Sequence, residues 1–121
     1  MGGMSAPEIN QIWSETKGDP RVTVAILDGP VDLSHPCFDP ATNLVQLNTV
    51  ETAISTSGIA KEHGTHVASI VFGRHENGIK GIAPGCSGLL IPIFSDEMIS
   101  ENVSCSQVKI KRRLLILNGP I

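Results

Sequence analysis

The chain has 121 residues, enough for one small domain with its own core. With 40% hydrophobic and 17% charged residues, it is too apolar for a disordered segment of the charged kind. Nine Lys and Arg against twelve Asp and Glu leave a net charge of −3, so no whole-chain field attracts nucleic acid or anionic lipid, and neither is expected as a partner.

The first residues, Met-Gly-Gly-Met-Ser-Ala-Pro-Glu, contain neither the basic nor the apolar region of a secretory signal, and Ala6 breaks a myristoylation motif. No stretch of the sequence is long and apolar enough to span a bilayer, so no membrane partner is expected and the expected location is cytoplasmic. Cys37, Cys86 and Cys105 are odd in number and widely spaced, and read as reduced thiols.

Ser5-x-x-Glu8 reads as a capping box, with Pro7 tolerated in the first turn. Ile9, Ile12 and Trp13 then fall on one helical face, and Gly18 is expected to close that helix. Val22 to Leu27 is apolar without alternation and rich in β-branched residues, which predicts a strand covered on both faces in a parallel sheet, stopped by Asp28-Gly29-Pro30. Pro36 and Pro40 impose extended or turn geometry, Leu44 to Leu47 reads as a short strand, and Thr49 to Gly58 as a polar loop.

His63 is expected to open a helix that runs through Phe72 and ends at Gly73. Asn77-Gly78 is a tight-turn signal, and Gly81 to Cys86 is a short segment broken by Gly and Pro. Leu89 to Phe94 is a second buried strand, whose Pro92 argues for an edge or bulge position. The order of strand, helix and strand with short linkers defines an α/β layer with right-handed crossovers.

In open parallel sheets, functional groups gather beyond the carboxyl ends of the strands. Asp28 stands there. Bonded to an imidazole N–H, its carboxylate fixes the tautomer and stabilises the imidazolium formed when the ring takes a proton from a nucleophile. The bland alternative is an aspartate that caps a turn with Gly29 and Pro30. His63, 35 positions on, is read in the first turn of its helix, where the positive dipole end favours the neutral ring that a general base requires.

Gly64 is expected to leave room beside that ring, and Thr65 to satisfy a free N–H of the first turn. His66 is expected to pack inside the fold, while His35 and His75 are expected to be exposed. His63-x-x-His66 lacks the four-residue spacing and the glutamate of a hydrolytic zinc helix, so neither a metal nor another cofactor is expected.

Asp28 in Val-Ala-Ile-Leu-Asp-Gly, His63 in His-Gly-Thr-His-Val-Ala-Ser and the segment Gly81-Ile82-Ala83-Pro84-Gly85 together resemble the subtilisin-like serine proteases, peptidase family S8. In the family at large the aspartate is usually followed by Ser or Thr and then Gly; here Gly29-Pro30-Val31-Asp32 follows. That departure, with Ala83-Pro84-Gly85-Cys86-Ser87-Gly88 further on, is similar to the cyanobactin-maturation proteases of cyanobacteria, which trim ribosomal precursor peptides. The resemblance implies the N-terminal part of a doubly wound, mostly parallel sheet, incomplete here, with Asp28 and His63 as catalytic acid and base and a peptide or protein substrate.

The same resemblance implies parts that are not found. No Gly-Thr-Ser-x-Ala segment occurs in the 121 residues; Ser55, Ser57 and Ser104 lack that frame, and Asn102 and Asn118 lack the context of an oxyanion donor. No calcium site is recognisable. Residues 1–107 read as the N-terminal portion of the peptidase domain, and residues 108–121 as a divergent tail of the kind a frameshift or premature stop leaves. Its cluster of Lys109, Lys111, Arg112 and Arg113 is expected to be solvated.

Three functions follow as expectations. The chain is a truncated endopeptidase, inactive alone; or one half of a protease completed by a second chain; or a non-catalytic module that binds peptide or partner protein through its crevice. A partial sheet with lost neighbours is expected to be marginally stable and prone to aggregation.

Overall fold

In the computed structural model, residues 5–47, 58–96 and 98 are described. Helix α1 spans Ala6–Glu15 and begins with the expected capping box: the Ser5 hydroxyl accepts the Glu8 N–H, and the Glu8 carboxylate accepts the Ser5 N–H at 2.8 Å. It ends at Glu15, where the Thr16 N–H donates to the Ile12 carbonyl. Gly18 therefore does not close the helix. Its φ of +117° turns the chain toward the next strand, and a β carbon there would meet the Cys86 nitrogen at 2.7 Å. None of the α1 residues is fully buried, and Trp13 anchors the helix by donating its indole N–H to the Ile82 carbonyl at 2.9 Å.

Strands β1 (Thr23–Asp28), β2 (Leu44–Gln46) and β3 (Ser87–Pro92) form a parallel sheet in the order β1-β3-β2. Helix α2, Ile59–Phe72, lies between β2 and β3 in sequence, as a parallel crossover requires. This is the expected α/β architecture.

Strand β3 is the central strand, which corrects the edge position expected from Pro92. Pro92 is the last residue of β3, opposite Asp28. On the other side of β3, Gly88 N–H donates to Asn43, and Leu90 accepts from Leu47. Continued two residues on, that alternation puts residue 92 past the end of β2, where the missing N–H interrupts no ladder. The strand also begins two residues earlier than Leu89 and ends two earlier than Phe94.

One sheet face packs on α2. Val24, Ile26, Leu44 and Leu90 meet Ala68 and Phe72, with Val31, Cys37, Phe38 and Cys86 closing the core around them. Gly88 is small because the Phe72 ring lies against it: a β carbon there would stand 2.7 Å from that ring. The opposite face is open at Ala25 and at Val45, the latter 58% exposed, but closed at Ile91. The apolar run of β1 is therefore only partly covered on its second face, with Ala25 exposed and Leu27 half-buried, rather than covered on both faces as expected.

Helix α2 also starts earlier than expected, at Ile59 rather than at His63. Ala60, Lys61 and Glu62 are good helix formers, and Glu62 complements the positive end of the helix. Its buried stripe is Ala60, Gly64, Ala68 and Phe72, four residues apart. The helix ends at Gly73 as expected, and a 3-10 turn over His75–Asn77 leads to Gly78 in the left-handed region. Most of the expected 49–58 loop and the 108–121 tail lie outside the described residues.

Candidate active site

Asp28 closes β1 at the carboxyl end of the sheet, with its side chain 17% exposed. Its Oδ1 accepts the Gly29 N–H at 2.6 Å and stands 2.8 Å from Nδ1 of His63. His63 is the fifth residue of α2 and is 61% exposed. It stands in the second helical turn, beyond the four N–H groups left free at the helix start, so the hydrogen bond to Asp28 orients the ring more strongly than the helix dipole expected to act on it. A ring that donates from Nδ1 has its lone pair on Nε2 and can accept a proton there.

The helix reaches Asp28 because two glycines let the backbones touch. A β carbon at Gly64 would lie 2.3 Å from the carbonyl oxygens of Gly29 and Pro30, and one at Gly29 would lie 2.2 Å from the Ala60 carbonyl. Gly64 makes room for the β1 exit, not for the His63 ring as expected. Thr65 also differs from expectation, since its hydroxyl accepts the Asp32 N–H at 2.8 Å rather than capping its own helix.

Gln46, which local sequence does not single out, clamps the same exit. Its amide accepts the Val31 N–H at 2.7 Å and donates to the Val31 carbonyl at 3.0 Å. Asp32 accepts both the hydroxyl and the N–H of Ser34. The Ser34 hydroxyl holds the Asp32 carboxyl below the usual carboxylate range.

The other histidines take different places. His66 is exposed, contrary to the expected burial, because the buried stripe of α2 passes through positions 64 and 68, and residue 66 faces away from it. His35 is exposed as expected, and its Nδ1 accepts the Cys37 N–H at the start of a 3-10 turn. His75 is half-buried rather than exposed: its Nε2 lies 2.9 Å from the Gly81 carbonyl oxygen and its ring meets Trp13 edge-on at 4.5 Å.

A cleft of about 1000 Å³ runs along α2, lined among others by Asp32, His35, Ile59, His63, His66 and Ser69. Among the described residues, no group of three or more His, Cys, Asp or Glu is placed to hold a metal ion. No helix among them is long and apolar enough to cross a membrane. Cys37 and Cys86 are buried and unpaired among the described residues, and burial pushes the Cys37 thiol up from its ordinary value. Ser55, Ser57, Asn102, Ser104, Cys105 and Asn118 lie outside the described residues.

An aspartate at the end of a parallel strand, bonded to a histidine on the following helix, is an arrangement of serine peptidases of the subtilisin kind. Residues 19–109 match the subtilase family, peptidase S8, and the chain belongs to that family. It is 33% identical over 90 residues to fervidolysin of Fervidobacterium pennivorans, covering 71% of this chain and 13% of that protein. It is 31% identical over 99 residues to an intracellular serine protease of Paenibacillus polymyxa, covering 78% of this chain and 30% of the relative.

Among solved structures, the prenylagaramide maturation protease PagA superposes with a TM-score of 0.70 at 42% identity, over 93% of this chain and 37% of that one. The expected likeness to cyanobactin-maturation proteases is thus present in both sequence and fold. The chain spans less than two fifths of the length of each of these relatives.

Proposed function

We propose that these residues are the acid and base portion of a subtilisin-like serine endopeptidase, with Asp28 as the orienting carboxylate and His63 as the general base. By themselves they do not cleave peptide bonds. The observation that carries this reading is the 2.8 Å contact between Asp28 Oδ1 and His63 Nδ1. It has the geometry of a carboxylate that fixes a histidine tautomer for proton transfer at the other ring nitrogen.

The attacking alcohol comes from sequence outside these 121 residues, which contain no Gly-Thr-Ser-x-Ala segment. In subtilisin, loss of the serine alone costs about six orders of magnitude in turnover, roughly 8–9 kcal/mol of barrier. Processing of precursor peptides is the role suggested by PagA, a maturation protease by name. A reducing, cytoplasmic setting fits the buried, unpaired thiols of Cys37 and Cys86.

Completion by a second chain is supported by one specific feature. Strand β1 pairs with β3 on one side and, among the described residues, with no strand on the other. An open six-residue edge beside Asp28 can take a further strand.

The test is reconstitution. The chain is mixed with the part of PagA that it does not match, and peptide cleavage and fluorophosphonate labelling are followed. Cleavage and a labelled serine on the added polypeptide are expected, with activity lost in His63→Ala and reduced about ten-thousand-fold in Asp28→Asn. A folded complex that remains inactive, or one indifferent to His63→Ala, contradicts the proposal.

A further inference from the structure

Helix α2 begins without a cap of its own. Its N-cap residue is Gly58, which has no side chain to accept a hydrogen bond. The acceptor comes from 36 positions away in sequence: Oδ1 of Asp96, just beyond β3, takes the Ala60 N–H at 2.8 Å. The two positions are complementary. A β carbon at Gly58 would lie 1.9 Å from Asp96 Oδ2, so residue 58 cannot carry a capping side chain while Asp96 occupies that space.

The first turn of α2 is held on its other side as well. Ala60 is fully buried, and its carbonyl lies against Gly29, the residue after Asp28. The strand that leads to Asp96 is in turn tied to Asp28, whose carbonyl accepts the Ile93 N–H at 2.8 Å. The contacts form a closed circuit: Asp28 to Ile93 along the sheet, Asp96 to Ala60 across to the helix, and His63 back to Asp28. Asp96 is the link in that circuit that joins the helix start to the segment beyond β3.

We propose that Asp96 is a positioning residue for the His63–Asp28 pair, acting through the first turn of α2. The proposal rests on the reading of that pair as base and acid. The 2.8 Å contact lies within the usual range of about 2.7–3.2 Å for an N–H···O hydrogen bond, so a shift of the helix by more than about 0.4 Å carries it outside that range and weakens it. Without Asp96 the Ala60 N–H loses its partner and the first turn loses its tether to β3.

The test reads the tautomer of His63 by nitrogen NMR in the full chain labelled at its histidine rings, above the ordinary imidazole titration range. The His63 signals are assigned by their loss in His63→Ala. The proton of His63 is expected on Nδ1 in the unaltered chain. In Asp96→Ala with unchanged circular dichroism it moves predominantly to Nε2, the position favoured by a free ring. Asp96→Asn retains the Oδ1 acceptor and is expected to keep the unaltered spectrum. Asp28→Ala, which removes the Oδ1 acceptor, serves as the control for the pair.

A folded Asp96→Ala chain that retains the Nδ1 proton, while Asp28→Ala loses it, overturns the positioning role and leaves the pair standing. An unchanged spectrum in Asp28→Ala overturns the pair itself. If Asp96→Ala does not fold, Gly58→Ser is added to it, supplying a cap from the helix in the space Asp96 has left. That double variant is expected to recover the helix but not the Nδ1 proton, because the tether to β3 is still cut. Recovery of the proton overturns the proposal.

Discussion

Gly64 and Gly29 bring two backbones together: a single methyl group added at Gly64 would stand 2.3 Å from the Gly29 carbonyl oxygen. The neighbouring residues, Asp28 and His63, are the pair that this approach serves. Gly64→Ala should therefore force α2 away from the β1 exit. Overpacking of this kind costs about 1–3 kcal/mol. A lower urea midpoint, with loss of the Nδ1-bonded tautomer of His63, is the expected result. An unchanged midpoint and tautomer would show that the contact yields freely.

Phe72 is 1% exposed, and its ring fills the space over Gly88. Truncation to Ala leaves a cavity under a three-stranded sheet and should cost about 3–5 kcal/mol. For a small domain this is a large share of the total stability. The expected outcome is loss of a cooperative urea transition, with binding of a hydrophobic dye. A cooperative transition displaced by less than about 1 kcal/mol would contradict the assigned core.

The place of Asp28 at a strand end was legible because an apolar β-branched run stops there at Asp-Gly-Pro, whereas its pairing was not, since a turn-capping aspartate fits the same residues. Its partner His63 was found through a resemblance of motifs. No local rule brings residues 35 positions apart to 2.8 Å. The start of α2 was missed for a physical reason, since its cap is Asp96, on a segment beyond β3. Pro92 misled because the harm a proline does to a sheet depends on where the neighbouring strand ends. His66 was assigned to the interior although Gly64 and Ala68, four apart, already mark the buried stripe.

The Asp32 carboxyl is held below its ordinary value of 3.8, first by the Ser34 hydroxyl. A carboxyl with a depressed folded value contributes stability that is present above the unfolded value and lost as pH falls through the folded one. Ser34→Ala should therefore be less stable than the unaltered chain above about pH 4, and the gap should close as the pH drops below that. Because Asp32 is near solvent, the gap is small and should shrink in high salt. Urea titrations of both chains across this range test it; a gap that widens in acid has the wrong sign.

Burial holds the Cys37 thiol above its ordinary value of 9.0. The folded chain then retains a proton that the unfolded chain releases, so stability falls as pH rises above 9.0. Cys37→Ala should flatten that decline, as read by urea midpoints on either side of pH 9. The native thiol should also react with iodoacetamide far more slowly than the unfolded one. Equal rates would show an accessible thiolate.

The most direct measurement is peptide cleavage by the purified 121-residue chain alone, verified by mass to be free of other proteins and followed with a fluorophosphonate probe. Hydrolysis at the level of buffer and no covalent adduct are the predicted results. Cleavage that disappears in His63→Ala, with an adduct on a serine of this chain, would contradict the central claim that the acid and base reside here without their nucleophile.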